Sequence, residues 1–346
     1  MINVAILAAT GAVGQRFVQL LDGHPWFRVT ALTGSERTIG RRYGDACTWM
    51  LPTPMPGWAR DLPLLPSAPG LDAALCFSAL PTDQARELEP LFAQAGHLVA
   101  SNASPHRMWP DVPLLIPEVN PDHTALIPTQ QDARGWSGAI VTNPACTATG
   151  LTIALRPILD RFGLRRVTAF SMQALSGAGY PGVASLDILD NVVPYIDNEE
   201  EKLESEPQKM LGRRHGGTIE PAAFRTTAHT NRVPVSDGHT VCASVELETR
   251  ATAEEVATAL AEFQAPEVVR GLPGAPPVVI EVRDEPDRPQ PRRDRDAGRG
   301  MTTVVGRVRP DPVFDVKFVV LSHNTIRGAA GGSVLNAELL MAQGLI

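Results

Sequence analysis

The sequence of 346 residues has no long apolar run and no excess of basic residues. No apolar stretch approaches the length of about 18 residues that a membrane-spanning helix requires, so no such helix is expected. The first residues enter an apolar strand with no basic segment before it, which is not typical of a secretory signal. The formal charge of -7 argues against nucleic acid or an anionic membrane as the main partner. We therefore expect a cytoplasmic protein that acts on small molecules.

Cysteine is also scarce, with four residues (Cys47, Cys76, Cys146 and Cys242) far apart in the chain. No two of them form a CxxC pair, so the sequence predicts neither a disulfide framework nor a zinc site. No metal is expected, and a reducing compartment fits this cysteine usage.

The first 145 residues alternate short apolar runs with helical or loop segments. We expect strands at 3–9, 28–33, 73–80, 97–101 and 139–142, with helices at 15–21 and 83–95 between them. This alternation is typical of βαβ units and a parallel sheet. It predicts a dinucleotide-binding domain over residues 1–145, completed by 325–346, and a second domain over 146–324.

The pattern changes near residue 146. Apolar spacing predicts a helix from Thr147 to Phe162, which Pro157 should bend or shift. Longer strand candidates at 167–174, 241–248, 278–282, 302–309 and 315–322 indicate a mixed or antiparallel sheet with one exposed face. We also expect a charged helix at 198–211, a solvated loop at 284–300 and a C-terminal helix at 329–346 that packs back on the first domain.

A glycine-rich turn follows the first strand and opens the first helix, in the sequence Ala8-Ala-Thr-Gly-Ala-Val-Gly14. Such a turn lets the backbone approach a pyrophosphate, to which the start of the helix offers free N–H groups. We predict that Thr10, Gly11, Ala12 and Val13 bind a dinucleotide. The alternative is a tight βα turn with no nucleotide.

The end of the second strand carries Ser35, Arg37 and Thr38. A fold selective for NAD usually has an acidic residue here for the ribose 2′-hydroxyl, whereas Arg and hydroxyl side chains accommodate a 2′-phosphate. These three residues favour NADP. Glu36 could instead be that acid, which would favour NAD.

Cys146 follows a predicted strand and begins a predicted helix. The helix dipole and the free N–H groups of the first turn stabilise a thiolate at such a position. The sequence therefore predicts a nucleophile at Cys146. Cys76 and Cys242 lie inside apolar strands and Cys47 has no partner nearby, so we interpret them as structural.

His239 is the histidine best placed to exchange protons with such a thiolate. It follows a Gly turn and enters a strand, so the main chain should hold its ring firmly. Arg232, seven residues earlier, could bind a carboxylate. The other seven histidines (His24, His97, His106, His123, His215, His229 and His323) have no comparable setting.

Taken together, these motifs resemble those of the aspartate-β-semialdehyde dehydrogenases, in particular the archaeal and fungal branch. The resemblance covers nearly the whole chain. It includes the turn at 8–14, Ser101-Asn-Ala-Ser-Pro-His-Arg-Met108, Ile116-Pro-Glu-Val-Asn120, the segment around Cys146, Gln173-Ala-Leu-Ser-Gly-Ala-Gly179, 231–239 and 324–338.

The resemblance implies an α/β protein with a Rossmann-type NADP-binding domain, an α+β catalytic and dimerisation domain, and a C-terminal helix that returns to the first. It implies reversible NADPH-dependent conversion of L-4-aspartyl phosphate to L-aspartate 4-semialdehyde through a cysteine thioester, in lysine, threonine and methionine biosynthesis. A homodimer or homotetramer is expected, with 188–194 as a candidate interface segment.

The resemblance also implies a role for particular residues. Cys146 corresponds to the nucleophile, His239 to the acid/base and Gln173 to the residue that positions the thioester. Substrate ligands would be Arg232 for the α-carboxylate, Arg107 and Lys209 for phosphate, and Glu206 for the α-amino group. Ser176, Gly177 and Asn324 would complete the cofactor contacts.

Two residues depart from the family pattern. Ala8 replaces the first glycine of the turn, and Ala145 stands where asparagine usually precedes the nucleophile. Alternatives are therefore a malonyl-CoA reductase, which has a closely similar sequence, and a non-catalytic NADP-binding paralogue. A glyceraldehyde-3-phosphate-type dehydrogenase shares the strand–Cys–Thr–helix arrangement, but the segment 231–239 and the surroundings of Arg107 argue against it.

Overall fold

The first half of the chain forms a parallel sheet in the computed structural model, which describes all 346 residues. Its elements are β1 (Ile2–Leu7), α1 (Ala12–Leu20), β2 (Phe27–Thr33), α2 (Tyr43–Ala46), α3 (Gly57–Asp61), β3 (Leu64–Leu65), β4 (Leu75–Ser78), α4 (Thr82–Gln94), β5 (Leu98–Ser101), α5 (Leu126–Arg134) and β6 (Ala139–Thr142).

The six strands follow the order β3-β2-β1-β4-β5-β6, and each pairs with its neighbours in parallel. The order reverses direction between β1 and β4. In open α/β sheets, ligands bind at the carboxyl ends of the strands on either side of such a reversal. The fold therefore places a ligand cleft beside the turn at 8–14.

The second half forms a mixed sheet with its own helices. Its elements are α6 (Cys146–Phe162), β7 (Leu164–Gln173), α7 (Ser185–Ile188), α8 (Glu199–Met210), β8 (Arg213–His215), β9 (Thr218–Glu220), β10 (Arg225–Arg232), β11 (His239–Leu247), α9 (Ala253–Ala261), β12 (Ile280–Arg283), α10 (Pro291–Asp294), β13 (Thr303–Pro310), β14 (Val316–Ser322) and α11 (Gly331–Ala342).

This second sheet has the order β10-β7-β11-β14-β13-β12, with antiparallel pairs at its centre and a parallel pair at each edge. Helix α6 packs on one face, while Phe170 and Met172 of β7 remain exposed on the other. The expected mixed sheet with one exposed face is thereby confirmed.

The C-terminal helix α11 packs against α1, β4 and β5, so the chain returns to the first sheet as expected. A π-helical segment, Ile326–Ala330, leads into α11. Both terminal nitrogens of Arg327 bond Glu118 at 2.8 and 2.7 Å, which fixes this segment between the two sheets. The sheets lie on either side of residue 145, and the division into domains at that residue stays a prediction.

Three local features differ from the sequence-based expectations. Helix α6 begins at Cys146 and continues through Pro157. Strand β10 was not predicted, because its residues are largely polar. The segment 284–300, expected as a solvated loop, contains α10 and buries Asp294 against Arg288. No helix has the length and apolar character needed to cross a membrane.

Candidate active site

A cavity of about 410 Å³ lies between the two sheets, where the turn before α1 faces the start of α6. Cys146 lies at this cavity, and so do side chains from both halves of the protein. The residues that line the cavity include Ala12, Val13, Asn102, Arg107, Ala145, Cys146, Ser176, Gly177, Glu199, Lys202, Asn324 and Gly328.

The turn before α1 has the geometry of a phosphate cradle. Gly11 caps α1, and the first N–H groups of a helix have no partner within it. A Cβ on Gly14 would lie 2.5 Å from the carbonyl oxygen of Ala8, so only glycine permits this close packing. Ala8 itself has φ of 56°, a left-handed conformation that costs a non-glycine residue about 1–2 kcal/mol. This explains why glycine is expected at position 8 and shows that the turn forms without it.

The expected 2′-phosphate residues lie at the carboxyl end of β2 and are accessible to a ligand. Ser35 and Arg37 are exposed, and Thr38 is half-buried. The Thr38 hydroxyl donates to the Ser35 carbonyl at 2.9 Å and holds the turn closed. Arg37 and Glu36 form no ion pair, so either could meet a nucleotide.

Cys146 and His239 come together within the second half of the chain, where α6 packs on the mixed sheet. The Cys146 Sγ lies 3.1 Å from the His239 Nε2. Cys146 is the first residue of α6, and His239 is the first residue of β11. The predicted pair is thus in hydrogen-bonding contact although 93 residues separate the two in sequence.

The electrostatic setting of Cys146 differs from the expected stabilised thiolate. Burial and, to a smaller extent, the Glu199 carboxylate raise the pKa of the thiol to about 11. The positive charges of Arg107 and Lys202 lower it by less. The Cys146 thiol is therefore protonated near neutral pH in the ligand-free cavity.

His239 is buried and neutral near pH 7. Burial lowers its pKa to about 3, and the positive charge of Arg232 acts in the same direction. The backbone N–H of Ala174 donates to the ring Nδ1 at 3.0 Å. The main chain thus holds the ring as expected, through a residue that the sequence did not single out.

Ser176, Gly177 and Asn324 meet at the cavity as expected. Asn324 donates through Nδ2 to the Ser176 Oγ at 2.8 Å, and its Oδ1 accepts the Gly238 N–H at 2.8 Å. A Cβ on Gly177 would lie 2.8 Å from the Arg232 Nη1 and 2.9 Å from the His239 Cε1. Glycine at 177 therefore allows the main chain to pass close to Arg232 and His239, where a side chain would collide with them.

Arg232 and Gln173 pair in register at the ends of β10 and β7. The Arg232 Nη1 donates to the Ala174 carbonyl at 2.8 Å, and its other guanidinium nitrogens make no hydrogen bond. The Gln173 amide approaches the Glu199 Oε2 at 3.3 Å. It makes no hydrogen bond to Cys146, so its role with the thioester stays a prediction.

Arg107 reaches the cavity from the segment after β5. Its Nη1 bonds the Glu206 Oε1 at 2.9 Å, and its Nη2 bonds the Asn102 carbonyl at 2.8 Å. Its Nε has no partner. The guanidinium is therefore held in place and still has N–H groups free for an anion.

The geometry of Lys209 and Glu206 does not support the expected substrate contacts. The Lys209 ammonium donates to the carbonyls of Arg107, Trp109 and Val112 at 2.6 to 2.9 Å. An ammonium has three N–H donors, so none remains for phosphate. The Glu206 carboxylate binds Arg107 and the Ala145 N–H, and it is 2% exposed. Both residues hold the cavity wall together from outside the cavity.

Glu199 and Lys202, and not Glu206 and Lys209, are the acidic and basic residues of α8 that reach the cavity. Both line the cavity, and they form an ion pair of 2.6 Å at the first turn of α8. The sequence contains the same Glu-x-x-Lys spacing twice in this helix, and the family resemblance implies a substrate role for the second copy. No local signal separates the two copies.

Ala145 precedes Cys146 and lines the cavity. Its N–H donates to the Glu206 Oε2 at 2.6 Å, so this N–H is not available to a substrate oxygen. The N–H groups that follow it at the start of α6 remain as donors. The methyl group of Ala145 offers none.

Comparison with known proteins supports the same chemistry. The model of the NAD-binding domain of semialdehyde dehydrogenases matches residues 3–127, and that of their dimerisation domain matches residues 155–327. The aspartate-semialdehyde dehydrogenase of Archaeoglobus fulgidus is 52% identical over 99% of each chain. That of Methanothermobacter thermautotrophicus is 50% identical over 98% of this chain and 99% of its own.

Solved structures agree with these relatives. The aspartate-semialdehyde dehydrogenase of Candida albicans with NADP superposes with a TM-score of 0.91 at 40% identity, covering 100% of both chains. The aspartate-semialdehyde dehydrogenase II of Vibrio cholerae has a TM-score of 0.77 at 26% identity, over 99% of this chain and 98% of its own.

Proposed function

This chain belongs to the aspartate-semialdehyde dehydrogenase family, and we propose that it reduces L-4-aspartyl phosphate to L-aspartate 4-semialdehyde with NADPH. The reaction is reversible and serves the biosynthesis of lysine, threonine and methionine. The observation that carries the proposal is the contact of 3.1 Å between the Cys146 Sγ and the His239 Nε2, in a cavity that also contains the start of α1.

Cys146 is the proposed nucleophile. Its thiolate attacks the acyl carbon, phosphate leaves, and a thioester forms on the sulfur. The oxyanion formed in the attack needs donors, which the N–H groups at the start of α6 and His239 supply. NADPH, when bound, supplies the hydride that reduces the thioester. The sulfur must first lose its proton, since the thiol pKa in the empty cavity is about 11.

The charged groups around the cavity match the three ionic groups of aspartyl phosphate. Arg107 and Lys202 are the proposed phosphate ligands, because both reach the cavity and keep free N–H donors. Glu199 is the proposed partner of the α-ammonium. Arg232, behind Gly177, is the proposed partner of the α-carboxylate.

The cofactor residues fit NADP. Thr10 to Val13 would hold the pyrophosphate at the N-terminus of α1, and Ala12 and Val13 face the cavity. Ser35, Arg37 and Thr38 would bind the 2′-phosphate. Ser176, Gly177 and Asn324 would surround the reactive end beside Cys146.

A second copy of the chain is the proposed partner. Apolar side chains remain exposed on β7 and on the segment that follows it, namely Phe170, Met172, Tyr180, Leu186, Leu189, Val192 and Tyr195. A surface of this composition is typical of an obligate interface. The segment 188–194 lies within it, so at least a dimer is expected. The cytoplasmic location stays a prediction.

The activity is tested by following NADPH oxidation with aspartyl phosphate and with malonyl-CoA in parallel. We expect turnover with aspartyl phosphate and none with malonyl-CoA. Cys146→Ser should abolish turnover and leave NADPH binding intact. Turnover with malonyl-CoA but not with aspartyl phosphate would contradict the proposed substrate. NADPH binding without turnover of either compound would contradict the enzymatic function.

A further inference from the structure

The carboxylate of Glu89 lies on the buried, otherwise apolar face of α4. The residue is 0% exposed, and the other buried residues of this helix are alanine and phenylalanine. A carboxylate in such surroundings requires hydrogen-bond partners. It has two, since the Ser101 Oγ donates to its Oε1 at 2.7 Å and the His106 Nδ1 lies 2.9 Å from its Oε2. Glu89 therefore connects α4 to the end of β5 and to the segment that follows this strand.

The segment 102–112 carries Arg107 to the cavity and contains neither helix nor strand. Its shape therefore depends on side-chain contacts from the elements around it. From the second half of the chain, Lys209 of α8 binds three of its carbonyls. From the first half, Glu89 of α4 binds it at His106, the residue directly before Arg107.

The ring of His106 forms a single hydrogen bond, the one to Glu89. Because an ionised carboxylate only accepts, the His106 Nδ1 carries the hydrogen of this bond. The Nε2 is buried and has no partner. The ring packs against Trp109 with 4.4 Å between the ring centroids and 69° between the planes. The bond to Glu89 is thus the only polar contact of the ring, and it ties residue 106 to α4.

We propose that the hydrogen bond between His106 and Glu89 positions Arg107 for the phosphate group of the substrate, so that both are positioning residues. The Arg107 guanidinium is oriented by the Glu206 carboxylate and the Asn102 carbonyl, but its main chain follows that of residue 106. A charge-assisted hydrogen bond requires a short distance, and a displacement of about 1 Å weakens binding strongly. The inference rests on the proposed role of Arg107 as a phosphate ligand.

Two substitutions separate the hydrogen bond of His106 from the packing of its ring. His106→Phe keeps an aromatic ring against Trp109 but has no donor for Glu89. His106→Asn loses the ring but keeps an N–H donor bonded to the Cγ, at the place of the Nδ1. Only His106→Phe should disturb Arg107.

His97 provides a matched control. It is also buried, its Nδ1 lies 2.8 Å from the Ala73 carbonyl oxygen, and its ring contacts Phe92 of α4. It precedes β5, however, whereas the segment with Arg107 follows that strand. His97→Phe should therefore lower stability without affecting the binding of phosphate.

The first test measures phosphate binding without turnover. Inorganic phosphate in the cavity should slow the iodoacetamide alkylation of Cys146, which mass spectrometry follows. We expect the phosphate concentration for half protection to rise roughly tenfold in His106→Phe, and to stay within about twofold of wild type in His106→Asn and His97→Phe. An unchanged value in His106→Phe, or an equal rise in either of the other variants, overturns the proposal. Absence of protection in wild type overturns the phosphate role of Arg107 together with it.

The second test uses the direction of the reaction in which phosphate is a substrate. With aspartate semialdehyde and NADP, His106→Phe should raise the KM for phosphate roughly tenfold and leave the KM for the semialdehyde within about twofold. A general loosening of the fold would raise both values, and that result would refute a specific effect on Arg107. A wild type without turnover contradicts the proposed function, and the first test then decides the inference alone.

Glu89→Gln replaces His106→Phe in both tests if the latter lacks native circular dichroism. Its amide presents an acceptor to only one of the two donors, so one of the two bonds that hold the segment is lost. The same rise in the half-protection concentration and in the KM for phosphate is expected. Wild-type values of both in a folded Glu89→Gln variant would show that the buried carboxylate does not position Arg107.

Discussion

Helix α8 contains two pairs of the same composition and spacing, Glu199 with Lys202 and Glu206 with Lys209. The first pair lines the cavity, its Lys202 side chain 26% exposed. The second pair is buried, and every N–H of its ammonium is bonded to a main-chain carbonyl. One pair is placed to meet a substrate, whereas the other holds the wall that the substrate meets.

The difference arises from what each end of α8 faces. Seven residues are two helical turns, so the pairs share a face of the helix but lie about 10 Å apart along its axis. The first turn of α8 opens on the cavity beside Cys146. The last turn packs on the segment 102–112, where the carbonyls of Arg107, Trp109 and Val112 surround the Lys209 ammonium. Residues of the same type therefore face the cavity at one end of α8 and stabilise the fold at the other end.

Lys202→Met should distinguish the two pairs most clearly, with a large effect on activity and a small effect on stability. We expect kcat/KM for aspartyl phosphate to fall roughly 10²–10³-fold, because a cation that stabilises the phosphate is lost. The free energy of unfolding should change by less than about 0.5 kcal/mol, since the side chain is partly exposed. Steady-state kinetics and urea unfolding measure the two effects. Unchanged kcat/KM would contradict a phosphate contact.

Lys209→Met should show the reverse pattern. Methionine fills a similar volume but leaves the carbonyls of Arg107 and Val112 without a donor, so we expect about 3 kcal/mol of stability to be lost. Urea unfolding compared directly with Lys202→Met measures the effect. Equal stability of the two variants would show that the carbonyl contacts of Lys209 are not structural.

Glu206→Gln should destabilise the protein by about 2 kcal/mol, because the buried Arg107 guanidinium loses its counter-charge while the amide still accepts one hydrogen bond. The effect is smaller than that of Lys209→Met, since only one partner is left uncompensated. Glu199→Gln is the matched control, and its midpoint in urea should equal that of wild type. If Glu199→Gln were the less stable of these two variants, Glu199 and Lys202 would be the structural pair.

Glu199→Gln should instead change the chemistry of Cys146. The Glu199 carboxylate raises the thiol pKa, so removing its charge lowers that pKa and increases the thiolate fraction at any pH below about 11. Iodoacetamide alkylation of Cys146 at pH 8, followed by mass spectrometry, should become several-fold faster. Glu201→Gln, which alters an exposed carboxylate on the same turn, should leave the rate unchanged. A slower reaction in Glu199→Gln would contradict the sign of the effect.

The part of the candidate site that could be predicted is the part that depends on local chain geometry. A cysteine between a strand and a helix, and a glycine-rich turn between another strand and helix, are recognised within ten residues of sequence. Cys146 and Ala12 lie at helix starts as expected. The choice between two Glu-x-x-Lys pairs depends on which end of α8 meets the cavity, and no local pattern contains that information.

The fold could be predicted to a similar degree. The parallel sheet and its helices follow from apolar periodicity, and β6 was predicted with its observed bounds. Strand β10 was missed because its alternation involves Thr, His and Asn, while its pairing partner β7 lies more than 50 residues earlier. Such a strand is determined by the neighbour that it pairs with.

The sequence by itself determined the family, the two kinds of sheet and the place of Cys146 at the start of a helix, because each depends on residue type at short spacing. The tertiary structure alone decided which charged groups face Cys146, and that burial keeps its thiol protonated near neutral pH in the empty cavity. These properties depend on desolvation and on donors contributed by distant segments, and they exist only when those segments meet.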